Sequence, residues 1–352
     1  MVRDRAMVLP YTLTGVSPSF MEVIGFLAAA ILSWWITGRV RRWAIAKAIL
    51  DIPNARSSHS LPVPRGGGLA IAAVVLGVNA VAAVVGDISR AVAAIIWIST
   101  ACYAVLGALD DYRSIRPEIR LVFQTAFSLV CVYSLFAVTM TPFNVLTVCL
   151  GVLLSLVLIW SVNLYNFMDG SDGLAAVQAV TAGIAGAVLS GYLNFDGVAF
   201  AAASIAGASA GFLWWNWQPA QIFLGDVGSY FLGACFGLLI LVTALHGLIP
   251  FFWIILLSPF ITDATLTLFR RIISGENWRA AHRTHAYQLL VQVGWSHRKV
   301  ALGLVFLMVL VAYPGAWLSV AYPQYGFECA ALVYVLIATL WAIIIKRADF
   351  SR

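Results

Sequence analysis

Five short segments of this 352-residue chain carry residues that could do chemistry. Asn163-Leu164-Tyr165-Asn166-Phe167-Met168-Asp169-Gly170-Ser171-Asp172-Gly173 places two amides, two carboxylates and two glycines between apolar stretches, with no basic residue among them. Asn and Asp supply hard oxygen ligands suited to Mg²⁺, and Gly permits tight turns. The closing Glu of a calcium-binding EF-hand loop is missing. Gly107–Arg113 holds the adjacent carboxylates Asp110 and Asp111. Side by side at a membrane edge they repel and are costly to desolvate. They suit a divalent cation or a cationic substrate group, or else they are solvated helix-end charges neutralised by Arg113 and Arg116. Gln221–Ser229 contains Gly225-Asp226-Val227-Gly228-Ser229, one carboxylate on an elbow beside a hydroxyl. That pattern is shared with ordinary turns.

Two segments are cationic. Asn277–Gln288 carries Arg279, His282, Arg283 and His285. On a helix His282 and His285 would share a face and could bind a metal, but the neighbouring arginines favour an anion, because they repel cations and present forked donors to phosphate. Asp51–Gly68 is rich in Pro and Gly and adds Arg56, His59 and Arg65, a loop suited to phosphate or simply a connector. A lone Asp263 lies within an apolar stretch, where a carboxylate is a functional candidate by default.

The elements that position these residues follow from composition. Hydrophobic residues make up 62% and charged residues 10% of the chain, with a mean hydropathy of +0.93; soluble domains carry about 25% charge. Soluble enzymes, disordered chains and disulfide scaffolds are thereby excluded. Cys102, Cys131, Cys149, Cys235 and Cys329 are scattered singly, which indicates neither disulfides nor zinc.

A spanning helix needs about 20 apolar residues, and eleven stretches qualify: 20–38, 66–86, 91–108, 121–138, 145–162, 174–193, 198–215, 229–245, 248–268, 300–320 and 327–345. The expected fold is all-α and polytopic, one integral membrane domain over 1–352. Its motifs lie within 51–288, and the last two helices (300–345) serve packing. Of the 21 Lys and Arg residues, 18 fall on one side and only Arg3, Arg5 and Arg90 on the other. By the positive-inside rule the first side is cytoplasmic, with the N-terminus outside and the C-terminus inside. The +6 net charge therefore reflects membrane topology and does not indicate nucleic acid. Carboxylates with Mg²⁺-type ligands and Arg/His clusters share the cytoplasmic face, which suits a Mg²⁺-dependent reaction of a phosphorylated cytosolic substrate with a lipid.

On these five segments the chain resembles the polyprenyl-phosphate N-acetylhexosamine-1-phosphate transferases, the MraY- and WecA-type superfamily (glycosyltransferase family 4). The resemblance runs from about Asp51 to Gln288, with Asn163–Gly173 and Phe223–Ser229 the most specific parts. It implies a multi-pass enzyme of the bacterial inner membrane that transfers HexNAc-1-phosphate from a UDP-sugar to undecaprenyl phosphate, releasing UMP. It also implies Mg²⁺ (or Mn²⁺) on Asn166 and Asp226, and a homodimer as an oligomeric option. Asp110, Asp111, Asp169 and Asp226 become the candidate catalytic carboxylates. Asn163, Asp172, Asn216, Phe223, Arg279, His282, Arg283 and His285 become candidates for the nucleotide sugar, and Arg56, His59, Arg65 and Arg113 for the lipid phosphate. Asp110 or Asp111 as a base and Asp226 as a covalent nucleophile remain alternatives. The muramyl-pentapeptide branch has consecutive histidines where this chain has His282-Arg283-Thr284-His285, which disfavours a pentapeptide substrate. The loop is more similar to enzymes that initiate O-antigen or other surface polysaccharides from UDP-GlcNAc or a 6-deoxy sugar such as FucNAc or QuiNAc. The alternative from another class is a polyprenyl-lipid transporter or flippase, which would need ionisable residues through the membrane depth.

Overall fold

The computed structural model describes residues 20–52, 62–85, 90–277 and 282–350. They form helices α1 (Phe20–Ala46), α2 (Gly68–Val85), α3 (Arg90–Arg113), α4 (Pro117–Val138), α5 (Val145–Phe167), α6 (Leu174–Tyr192), α7 (Asp196–Asn216), α8 (Gly225–Leu245), α9 (Phe251–Leu256), α10 (Ser258–Ile273), α11 (Ala286–Gln292), α12 (His297–Leu307), α13 (Tyr313–Ala321) and α14 (Gly326–Phe350). The described strands are two-residue segments, β1 (Leu50–Asp51) and β2 (Val63–Pro64), paired antiparallel. The protein is an all-α polytopic membrane protein.

Each of the eleven expected stretches is helical, and among the described residues nine helices are long and apolar enough to cross a bilayer. In the stretch 66–86, α2 begins at Gly68, after the glycine turn, and the stretch 248–268 is not one continuous helix. The second is cut into α9 and α10, because Pro259 has no N–H to continue the ladder. The fully buried Ser258 hydroxyl takes over by donating to the Ile255 carbonyl at 2.6 Å. A similar adjustment precedes Pro314, where Met308–Ala312 widens into a π-turn between α12 and α13.

α8 occupies the centre and is buried along nearly its whole length. Its sequence is apolar all round, as a helix enclosed by others should be. α2, α3 and α5 pack around it, whereas α1, α4, α5 and α14 expose Leu27, Ile31, Val122, Leu153 and Leu336 outward, the side that faces lipid. All five cysteines are unpaired.

The helices overrun the hydropathy windows at one end of the bundle. Hydropathy stops at the first charge, but the helical hydrogen-bond ladder does not. Asp110 and Asp111 therefore sit in the last turn of α3, Asn163 and Asn166 near the end of α5, and Asp226 in the first turn of α8.

Candidate active site

The first turn of α8 leaves its leading N–H groups without intrahelical acceptors. Asp111 supplies them from α3: its Oδ1 accepts the Asp226 N–H and its Oδ2 the Val227 N–H, each at 3.1 Å. The approach depends on Gly107, where a Cβ would collide with the Asp226 backbone. It also depends on Gly225, whose φ of +78° suits only glycine and whose Cβ would lie 2.6 Å from Asp111 Oδ2. Replacing Gly225 with Ala costs about 1–2 kcal/mol in backbone strain alone, and it should displace the Asp111 carboxylate. Thermal unfolding and turnover of the purified variant should fall together; a variant with both unchanged would refute this packing.

The Asp110–Asp111 doublet splits, so the two carboxylates do not face a common partner. On a helix, neighbouring residues point about 100° apart. Asp110 turns away and is buried, accepting from Ile115 N–H (2.8 Å), Arg120 (2.6 Å) and the Tyr230 hydroxyl (2.8 Å). Arg65 pairs with Asp111, reaching both its main-chain carbonyl and, at 3.9 Å, its carboxylate. The neutralising cations are thus Arg120 and Arg65, in place of Arg113 and Arg116. Arg113 is exposed at the end of α3.

Arg65 is held there by backbone pairing. Phe223 N–H donates to Pro64 O (2.8 Å), Gly67 N–H to Phe223 O (2.9 Å) and Gly68 N–H to Leu224 O (2.9 Å). The Asp51–Gly68 and Gln221–Ser229 segments thereby form one edge of the site. Arg56, His59 and Arg279 lie outside the described residues.

α5 closes the opposite edge. Asn166 Nδ2 donates to Asp226 Oδ1 at 2.6 Å and to Ser229 Oγ at 3.1 Å. One turn earlier, Asn163 donates to Gln124 on α4 at 2.7 Å, so it braces α5 against α4. Asp169 follows in the turn after α5. Burial, then the nearby carboxylates of Asp226 and Asp111, push its carboxyl well above the ordinary range. Asp111, Asn166, Asp169 and Asp226 therefore form one compact, electronegative group drawn from three motifs.

Asp172 and Asn216 do scaffolding work beside it. Asp172 Oδ2 accepts the Ala220 N–H (3.1 Å). Buried Asn216 accepts the Gly173 N–H (2.9 Å) and donates to Ile222 O (2.9 Å), which uses both ends of its amide on the backbone.

The histidine loop docks against the same turn. Tyr287 donates its hydroxyl proton to Phe167 O (3.0 Å), and the His285 ring is stacked near both Phe167 and Tyr287. Deep Asp263 anchors this loop: its carboxylate accepts Ala286 N–H (2.9 Å), Tyr287 N–H (3.3 Å), Thr267 Oγ1–H (3.0 Å) and Trp341 Nε1–H (3.2 Å), with His285 Nδ1 at 3.5 Å. Asp263 is a structural anchor here. Trp341 also shows that the last helix, expected only to pack, helps position the loop.

His282 lies 4.9 Å from the His285 ring, centroid to centroid, and bonds Thr284. Burial first, then the charges of His285, Arg271 and Arg270 against a smaller opposing pull from Asp263, draw its pKa down to about 4. His282 is therefore neutral at pH 7. An unfolded histidine titrates near 6.5, so between about pH 6.5 and 4 the unfolded chain binds a proton that the native chain refuses. Stability should fall as pH drops through that window, and His282→Gln should flatten the dependence in thermal unfolding at stepped pH. An unchanged slope would remove His282 as its source.

Sequence reasoning missed Arg120, Tyr230 and His297. An arginine opening an otherwise apolar helix needs a buried partner, and that signal was available for Arg120. Nothing local marks His297, whose ring contacts Asp172.

The profile of glycosyl transferase family 4 matches residues 93–244. A Bacillus subtilis protein named as a probable undecaprenyl-phosphate N-acetylglucosaminyl 1-phosphate transferase is 32% identical over 325 residues, covering 84% of this chain and 87% of its own length. The chain belongs to this family of polyprenyl-phosphate N-acetylhexosamine-1-phosphate transferases. The decaprenyl-phosphate N-acetylglucosaminephosphotransferase of Mycolicibacterium smegmatis is 31% identical over 391 residues, with 99% of this chain and 95% of that protein covered. A phospho-N-acetylmuramoyl-pentapeptide-transferase of Fusobacterium nucleatum is 27% identical over 238 residues, covering 57% of this chain and 65% of its own length. The transferase is thus a multi-pass bacterial membrane enzyme that moves a phosphosugar, and the family profile spans four of its electronegative residues, Asp111, Asn166, Asp169 and Asp226.

Proposed function

We propose that the transferase moves N-acetylglucosamine-1-phosphate from UDP-GlcNAc to a polyprenyl phosphate, undecaprenyl phosphate in the first instance, releasing UMP. The observation that carries this reading is the 2.6 Å Asn166–Asp226 contact beside Asp169 and Asp111. Carboxylates that repel one another call for a divalent cation and a phosphorylated substrate. GlcNAc is preferred over the 6-deoxy sugars because the B. subtilis and mycobacterial relatives carry it in their names. The product would serve to start O-antigen or another surface polysaccharide.

The residues present fit Mg²⁺. Asp226 offers a carboxylate oxygen, and Asn166, whose amide nitrogen donates to that carboxylate, holds it in place beside Asp169. Among the described residues no three His, Cys, Asp or Glu side chains form a ready metal cage. Mg²⁺ needs none, since it is commonly held by one or two carboxylates plus substrate phosphates and waters. When bound, it would neutralise charge on the diphosphate.

In the reaction, a lipid phosphate oxygen bonds to the β-phosphorus of UDP-GlcNAc. The bond from that phosphorus to the bridging oxygen breaks, and its electron pair leaves with UMP. A phosphate monoester has a second pKa near 6, so the nucleophile is already largely dianionic and needs no base. Asp111, capping α8 and bonded to Arg65, keeps Asp226 in place, and Arg65 borders the site as a donor to anionic oxygens. The excess of 18 basic residues over 3 supports a cytoplasmic position for this end of the bundle, where nucleotide sugars are found.

The decisive assay combines purified protein, radiolabelled UDP-GlcNAc, undecaprenyl phosphate and Mg²⁺. Labelled lipid and UMP should form in equal amounts. No lipid product with any UDP-HexNAc would overturn the reading, and product from a 6-deoxy sugar alone would overturn only the choice of sugar.

A further inference from the structure

We infer that the apolar cavity between α10, α11, α12 and α14 is a phospholipid site. It takes an acyl chain of one anionic phospholipid and holds the headgroup phosphate at Arg347. This lipid is not a substrate, so the site lies beyond the transfer of the phosphosugar.

The cavity measures about 550 Å³, the size of a small-ligand site. Its walls are hydrocarbon: Phe260 of α10, Leu290 of α11, Leu304 and Leu307 of α12, and Leu340 and Ile344 of α14. The charged residues that line it are Asp263 and Arg347. Asp263 is 6% exposed, and its carboxylate is taken up by Thr267, Ala286, Tyr287 and Trp341. A buried water needs two to four polar partners and finds few here. The opening lies on the lipid-facing side, since the lining residues Gly303, Leu340 and Ile343 are themselves exposed. A hydrocarbon chain entering from the bilayer supplies the dispersion contacts that an empty hollow forfeits.

Two residues choose the headgroup. Arg347 stands in the last turn of α14, where its guanidinium presents forked donors to phosphate oxygens. Trp295, at the turn before α12, borders the cavity and is 45% exposed; tryptophan settles at headgroup depth. A basic residue there favours lipids with net negative charge. The prenyl phosphate is a poor match. In the proposed reaction its phosphate reaches Asp111, Asn166 and Asp226, whereas none of the described lining residues belongs to α3, α5 or α8.

The site backs onto the active site. Trp341, Ala286 and Tyr287 line the cavity, and each donates an N–H to Asp263. A chain seated there packs against the anchor of the histidine loop.

Gly303 of α12 supplies the test, because a side chain added there starts in open space. Gly303→Phe puts a ring into the cavity and removes a helix-weakening glycine. Arg347→Gln removes the charge and leaves the walls intact. Delipidated full-length protein in detergent is titrated with dioleoylphosphatidylglycerol or dioleoylphosphatidylcholine. Bound lipid is counted by native mass spectrometry, with thermal unfolding in parallel. Wild type should retain one phosphatidylglycerol about fivefold more tightly than phosphatidylcholine, and should gain thermal stability as it binds. Arg347→Gln should lose that preference. Gly303→Phe should unfold no earlier than wild type and should lose the tight site for both lipids. A Gly303→Phe protein that binds phosphatidylglycerol like wild type would overturn the cavity as the site. Equal retention of the two lipids by wild type would overturn the role of Arg347, as would a preference that survives in Arg347→Gln. Displacement of phosphatidylglycerol by an equimolar amount of undecaprenyl phosphate would assign the cavity to the substrate and overturn the inference. The proposed transfer reaction stands under each of these outcomes.

Discussion

Replacing Asp226 with Asn is expected to lower turnover at least 1,000-fold, about 4 kcal/mol of activation free energy, while the fold stays intact. The substitution leaves the local geometry alone. The backbone N–H of residue 226 still donates to Asp111 Oδ1, and an amide oxygen can still accept from Asn166 Nδ2, as Asp226 Oδ1 does at 2.6 Å. Only the charge is lost. If Asp226 serves to hold a divalent cation against a diphosphate, that charge is the property that matters. The measurement is transfer of labelled sugar phosphate to lipid, with thermal unfolding as the control for folding. A variant with near-full, Mg²⁺-dependent turnover would take Asp226 out of the metal role.

Arg120→Ala should be the most destabilising single change at this end of the bundle. Asp110 is 4% exposed, and its charge partner is Arg120 at 2.6 Å; the other donors, Tyr230 and the Ile115 N–H, are neutral. Removing one member of a buried pair leaves the other charge uncompensated, at a cost of about 3–5 kcal/mol. Arg120 also donates to the Tyr230 hydroxyl at 2.9 Å, so the loss loosens α3, α4 and α8 at once. The double variant Asp110→Asn with Arg120→Ala carries no orphaned charge and should regain a large part of the lost stability. Thermal unfolding in detergent of the two single variants and the double variant measures the coupling. Additive losses, or an Arg120→Ala protein as stable as wild type, would show that the pair does not hold these helices together.

The membrane class and the position of the helices were legible in the chain because hydropathy is local: a stretch such as 145–162 is apolar whatever surrounds it. The acidic turn Asn163–Gly173 was legible for a related reason, since hard oxygen ligands and glycines crowded between two spans have few structural uses. Where a charge ended an apolar window but not the helix, the reading fell short, and Asp110, Asp111 and Asp226 proved to lie on helix ends. Asp263, conspicuous by its depth, became the anchor of the histidine loop once Ala286, Tyr287 and Trp341 were seen to donate to it.

Residue types and their spacing thus determined that this is a multi-helix membrane protein with phosphate chemistry at one end, because both properties are written in short windows of sequence. Tertiary structure alone decided which charges act and which brace. Asp111 meets the α8 backbone 115 residues further on, and Asp172 meets His297 across 125. Two adjacent aspartates could be told apart only by the direction in which their helix turns each of them. Contacts that distant leave no periodicity in the chain; they arise from the packing of helices around α8.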